Sequence, residues 1–105
     1  MTNYEKSFNA LGDPTRRRIF ERLSKGPLAV VDVADKLTVT RPAVSQHLKV
    51  LMEAGLVTAD RVGTRRLYQI DPKGVLAMRN YLDSMWDVAL LAFKQAAENE
   101  GGMKK

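Results

Sequence analysis

The sequence predicts a mainly α domain, about five helices with one two-stranded β-hairpin and a long C-terminal helix. Three observations predict it. Residues 28–56 read as a short helix, a tight turn and a longer helix. Two strand-like runs then flank Val62-Gly63-Thr64. A stretch with a broad apolar face follows Pro72. The chain has 105 residues, enough for one domain (1–105) with a modest core.

In chain order, Tyr4 to Leu11 forms a short helix with Phe8 and Leu11 inward, and Met1 to Asn3 frays. Gly12-Asp13 breaks it. Asp13 caps the next helix, with Pro14 at its first position, where a missing N–H is harmless. Ile19, Phe20 and Leu23 give that helix a buried stripe through Ser24. Arg16, Arg17, Arg18 and Arg22 cannot all point one way. Some face solvent or phosphate and others pair with acids such as Asp13 or Glu21. Lys25-Gly26-Pro27 is a loop, and Leu28 is placed beside the later hairpin as a short strand residue.

Val30, Val33, Ala34 and Leu37 recur at helical spacing, which predicts a helix over 30–37 with one buried face. Thr38 to Thr40 is a three-residue turn. Thr40 offers its hydroxyl as a cap, and Pro42 lies in the first turn of the following helix. Val44, Leu48, Leu51 and Met52 form its apolar stripe, and Gly55 is suited to the left-handed position that ends it. The outward face carries Arg41, Ser45, Gln46 and Lys49, with Ala43 near the tip. This surface is rich in donors and nearly free of acid, as a helix entering a DNA groove requires. The helix-turn-helix spans 30–54.

After Gly55 the period changes to two. Residues 56–61 and 65–70 are strand-like, joined by a tight turn in which Gly63 takes positive φ. Arg61, Arg65 and Arg66 decorate the hairpin, which spans 56–70. Placed directly after the helix pair, it reads as a wing whose tip lies along the backbone or in a minor groove. The alternative is a solvated hairpin whose arginines blunt an edge.

Asp71-Pro72 starts the last helix, predicted over 73–99 and about 40 Å long. Leu76, Leu82, Met85, Trp86, Ala89, Leu90 and Phe93 make an apolar face broader than this domain can cover. Burial by a second copy, together with Tyr4, Phe8 and Leu11, is the economical solution, with Trp86 as anchor. In the alternative the helix folds back and Trp86 is core, and a mixture of the two is expected. The tail from Glu100 to Lys105 reads as disordered.

The net charge is +5, and its placement is uneven. Residues 1–70 hold 12 Lys/Arg against 7 Asp/Glu, whereas 71–105 hold 5 against 5. The whole excess thus accompanies the two-helix motif and favours an anionic partner there. Cysteine is absent, which excludes disulfides and thiolate chemistry and fits the cytoplasm. The N-terminus lacks the apolar segment of a signal peptide, and no run approaches the roughly 18 apolar residues of a membrane span.

Asp13-Pro14-Thr15-Arg16-Arg17, Ile19 and Leu23, Ala34 and Leu37, the run from Pro42 to Leu51, Ala54 to Val57, Gly63 and Arg66-Leu67-Tyr68 occur in this order. Together they resemble the ArsR family of bacterial and archaeal winged-helix repressors, over roughly residues 4–95. The resemblance implies a homodimer built on the first and last helices, 4–11 and 73–99. It implies binding to an inverted-repeat operator in double-stranded DNA, often the protein's own, with one recognition helix per major groove. Relatives commonly release DNA when a metal or another signal binds.

The chain departs from that pattern at Thr38, where glycine is often seen, and more sharply in sensing. Metal-sensing relatives use cysteines on the recognition helix, or Asp-x-His with a later His-x-x-Glu on the last helix. Here Asp83-Ser84-Met85 lacks the histidine, and the single histidine is His47. One histidine per chain cannot supply a soft-metal site within a subunit. His47 is expected to touch phosphate, hold a neighbour or sit half-buried. No cofactor or metal is expected, and any small-molecule effector is left unidentified.

These considerations distribute the roles. Arg41, Ser45 and Gln46 read base edges, and Lys49 and His47 set position on the backbone. Arg61, Arg65 and Arg66 are wing contacts. Arg16 and Arg17 are candidates for flanking phosphates, with Arg17 alternatively structural. An enzyme is not expected, because no nucleophile, base and orienting group can be assembled. The alternative function is a winged-helix module that docks proteins without DNA, which an acidic or apolar helix face would favour.

Overall fold

The computed structural model of the chain describes residues 3–103. The element order is α1 (Asn3–Leu11), α2 (Pro14–Leu23), α3 (Val30–Asp35), α4 (Arg41–Glu53), β1 (Val57–Val62), β2 (Arg65–Ile70) and α5 (Pro72–Met103). Five helices and a two-stranded antiparallel sheet match the predicted class.

The core is apolar and draws on nearly every element. Ile19 and Leu23 of α2, Val33 of α3, and Val44, Leu48 and Leu51 of α4 are buried together with Leu56, Val57 and Tyr68. The helical members recur at three- and four-residue spacing, so each helix turns one stripe inward. In β1 and β2 the register pairs Val57 with Ile70 and Ala59 with Tyr68, so the base of the hairpin's inner face closes on the helices. Leu28 bridges to Tyr68 on the free edge of β2, as expected, through reciprocal bonds of 3.0 and 2.8 Å.

The helix ends follow the capping chemistry. The Asp13 carboxylate accepts from the Thr15 and Arg16 N–H groups, and Thr40 Oγ1 accepts from Ala43 N–H at 3.3 Å. Beyond α4, Gly55 takes φ +78°. Its N–H bonds the Met52 carbonyl and the Leu56 N–H bonds the Leu51 carbonyl, the paired closure of a Schellman motif. At the hairpin tip Gly63 takes φ +63°, which a two-residue loop of Gly63 and Thr64 requires at its first position.

The first turn of α5 packs on this same corner. The Asp71 N–H donates to the Leu56 carbonyl at 2.8 Å, and a Cβ at Gly74 would lie 2.1 Å from the Gly55 oxygen. From α1, buried Ser7 donates its Oγ–H to the Ala54 carbonyl at 3.1 Å. Three consecutive residues, Ala54 to Leu56, therefore hold α1, α4, the hairpin and α5 together.

Three expectations are corrected. α3 ends at Asp35 rather than Leu37, because Lys36 leaves helical backbone at φ −105°. The connection to α4 is then five residues, 36–40, with Leu37 and Val39 packed on the core. The last helix runs from Pro72 to Met103, four residues past the predicted end, and absorbs residues 100–103 that were read as disordered tail. Gly101-Gly102 lowers helix propensity without ending an element so long. Asn3 is helical rather than frayed, while the expectations for Met1, Thr2, Lys104 and Lys105 lie outside the described residues.

Gly74→Ala tests the corner. The added methyl meets backbone, which cannot rotate aside, so unfolding in urea should show a loss of about 2–3 kcal/mol. A change under about 0.5 kcal/mol would mean that α5 can slide away from Gly55 at no cost.

Candidate nucleic-acid interface

α4 exposes Arg41, Ser45, Gln46 and Lys49, and leaves Ala43 and His47 half-buried. The cause is the helical repeat: Val44, Leu48 and Leu51 turn fully inward, so the residues between them turn out. Thr40 and Pro42 start the helix sharply, and Arg41 stands at its first position.

Beside α4, the hairpin sets a second polar surface at an angle to the first. Ser45, Gln46 and Lys49 share a hollow of about 510 Å³ with Arg66 and Tyr68 of β2. Met52 and Glu53 line it as well, and Glu53 is the one acid there. Tyr68 is buried, and the Arg66 guanidinium lies over its ring at 5.2 Å from the centroid. Cation–π attraction thus orients Arg66 along the inner face of the wing. Arg61 lies directly opposite Arg66 in the register. Two like charges facing each other across a ladder oppose pairing, and an anion between them removes that cost.

Arg65 is placed differently. Its Nη2 meets the Asp32 carboxylate of α3 at 2.7 Å, and both side chains are about half exposed. Asp32 also accepts on its main chain, where its carbonyl takes a hydrogen bond from Arg22 Nη2 at 3.0 Å. That carbonyl belongs to the last turn of a short helix, where main-chain oxygens are open to side-chain donors. On the outer face of the hairpin Gln69 donates to Asp60 at 2.8 Å.

Arg16 and Arg17 close the end of α1. Arg16 Nε donates to the Ala10 carbonyl at 2.8 Å and Arg17 Nη1 to the Leu11 carbonyl at 3.2 Å. His47 is close enough for its charge to act on Asp13, the cap of α2. The structure therefore brings Ser45, Gln46, Lys49 and Arg66 around one hollow and sets Arg61 beside them. It ties Arg65, Arg16 and Arg17 to partners within the chain. Asp32 was missed in the sequence, since it carries no signal beyond its residue type, and Arg22 and Tyr68 were noted there without the partners the fold gives them, the Asp32 carbonyl and the Arg66 guanidinium.

The residues expected at an interface between copies divide as well. Tyr4 stacks on Tyr81 at 4.4 Å and Phe8 meets the same ring edge-on at 5.6 Å, so both pack on α5 of their own chain. Leu11 is half-buried against the core. Leu82, Met85, Trp86, Ala89, Leu90 and Phe93 are exposed along α5, Trp86 to 61% and Phe93 to 73%. The first part of α5, through Tyr81, thus packs on its own chain, and from Leu82 onward the helix does not fold back over the domain.

Among the described residues no group of three or more His, Cys, Asp or Glu side chains is placed to hold a metal ion, and no helix is long and apolar enough to cross a membrane.

Comparison with known proteins agrees with this geometry. Residues 13–59 match the model for bacterial regulatory proteins of the arsR family. The chain is similar to the HTH-type transcriptional regulator Rv2034 of Mycobacterium tuberculosis, with 53% identity over 92% of this chain and 91% of the relative. It is 34% identical to the arsenical resistance operon repressor of Bacillus subtilis over 71% of this chain and 72% of that one. Among solved structures, the homodimeric winged helix-turn-helix DNA-binding domain Mb0332 of Mycobacterium bovis superposes with a TM-score of 0.66 at 28% identity. That match covers 84% of this chain and 82% of the other.

The cap of α2 gives a pH test. The Arg16 N–H bond, with help from the Arg16 guanidinium, the Thr15 N–H and His47, holds the Asp13 carboxyl below its ordinary value. A carboxyl lowered in the folded state contributes stability above the ordinary aspartate range and loses it as pH falls through the folded value. Asp13→Asn keeps a cap acceptor and removes the titration. Its acid unfolding curve should be flatter than the parent's below about pH 4. Parallel curves would mean that Asp13 takes no part in acid unfolding.

Proposed function

The chain belongs to the ArsR family of transcriptional regulators, with a DNA-binding winged helix-turn-helix, and on that premise we propose that it is a homodimeric repressor of an inverted-repeat operator. The observation that carries the reading is the shared hollow, where Ser45, Gln46 and Lys49 of α4 meet Arg66 of the wing. A groove-reading helix and a cationic hairpin set side by side let one DNA strand pass between them. α4 then lies in the major groove and the wing follows the backbone or the neighbouring minor groove.

Within that pose Arg41, Ser45 and Gln46 meet base edges near the start of α4, where bidentate pairing with guanine or adenine gives discrimination. Ala43 stands close to the same edges. Lys49, Arg66 and Arg61 take phosphate. Arg65 braces the wing on Asp32 and neutralises an acid that would otherwise repel the strand. Its loss therefore weakens binding to every sequence, partly by uncovering Asp32. His47, Arg16 and Arg17 set the approach of α2 and α4 and reach flanking phosphate at most from the side.

The dimer is supported by α5, whose Trp86 and Phe93 lie along an apolar face that the chain itself leaves uncovered. A second copy packing α5 and α1 on their counterparts sets two recognition helices about one duplex turn apart, to suit a palindromic site. Metal sensing is not part of the proposal, given one histidine and no cysteine. A protein-docking winged helix that ignores DNA is the weaker reading, because the exposed face of α4 carries amide, hydroxyl and cationic groups and, at its far end, the single acid Glu53.

Titration of the protein against its own upstream DNA at two salt concentrations tests the reading. Gln46→Ala should narrow the preference for the operator over random duplex by roughly tenfold. Arg66→Ala should weaken both and lower the salt slope by about one. An unchanged slope would remove the wing from the phosphate contacts, and equal affinity of the parent for operator and random duplex would sink the proposal. Trp86→Ala should raise the dimer dissociation constant at least about tenfold in sedimentation. A parent monomeric at micromolar concentration would remove the paired-site geometry.

A further inference from the structure

A second basic concavity lies away from the α4 hollow and shares no residue with it. Arg18 and Arg22 of α2, Lys25 just beyond that helix, and Lys36 at the end of α3 line a hollow of about 370 Å³. Positions 18, 22 and 25 follow at four- and three-residue steps, so they share one face of α2 as it ends. Glu21 and Leu37 complete the lining.

These four cations are poorly compensated. Among the described residues the ion pairs are Arg16–Asp13, Arg65–Asp32 and Arg79–Asp83, and none involves this cluster. Arg22 is held in place by its bond to the Asp32 carbonyl, while its Nε is buried with no partner. Like charges gathered around one concavity raise the energy of the fold, and a polyanion seated among them lowers it. The volume is at the lower end of the roughly 300–1,000 Å³ typical of small-ligand sites.

We propose that the hollow between the ends of α2 and α3 binds a small phosphorylated molecule carrying at least two negative charges. Lys25, Lys36 and Arg18 hold the phosphate groups, and Glu21 takes a hydroxyl or amine of the same ligand. Arg22, fixed on Asp32, forms the floor. Asp32 also braces Arg65, so one residue outside the hollow connects its floor to the wing.

The test is calorimetric titration of the full chain with inorganic pyrophosphate at fixed ionic strength, without DNA. Saturable binding is expected, weakened about tenfold by Lys25→Ala or by Lys36→Ala and unchanged by Arg66→Ala. No saturable binding, or equal binding in all variants, overturns the proposal. Loss in Arg66→Ala overturns it too, since the anion would then occupy the DNA surface. So does a Lys36→Ala protein that loses duplex binding in the absence of pyrophosphate, because the hollow would then belong to the DNA footprint. The calorimetry involves no duplex, so its failure leaves the repressor reading standing.

Discussion

The close backbone approach of Gly74 to Gly55 is the constraint on which the rest of the structure depends. Gly55 adopts positive φ to end α4, and Gly74 lies so near its carbonyl that no side chain fits between. One residue before, the Ala54 carbonyl receives Ser7 of α1, and one residue after, the Leu56 carbonyl receives the Asp71 N–H. Helix α4, the hairpin that follows it and the two terminal helices thus meet over three residues. Close-packed interiors transmit displacement rather than absorb it. A shift of α5 against α1 therefore reaches the C-terminal end of α4 through backbone contacts, without any flexible linker.

The wing is tethered less firmly. Leu28 bridges its free edge, Arg65 reaches Asp32, and Tyr68 anchors its base. Towards the tip, Arg61 faces Arg66 with no acid between them in the register. The hairpin is stabilised where it meets the core and electrostatically loaded where it leaves it. This is the distribution expected of an element that completes its interactions on an anionic surface.

Periodicity and capping made most of the fold legible. Val44, Leu48 and Leu51 at helical spacing, Thr40 before Pro42, and Gly63 between two period-two runs each determine a local geometry, and local rules suffice there. The end of α3 was misjudged because Leu37 keeps the apolar rhythm while packing from a turn rather than a helix. The end of α5 was misjudged because two glycines do not stop a helix already many turns long. The candidate interface was readable to the extent that it is one helix face. Ser45, Gln46 and Lys49 follow from their spacing alone. The separate fates of Arg65 and Arg66, adjacent and chemically identical, depend on which face of a strand each occupies and on what lies across from it. Asp32 lies 33 residues from Arg65, and only the folded chain brings them together.

The outer half of α5 carries a further implication. The molecule measures 71 Å along its longest axis and about 26 Å across, and the excess length is a helix whose Trp86, Leu90, Leu91 and Phe93 have no cover from their own chain. In the proposed homodimer such a rod would be under mass action: dilution would leave its greasy flank open to proteases and to promiscuous association, and a higher copy number would shelter it. Dosage, rather than sequence alone, would then set how much of that dimer persists in working form.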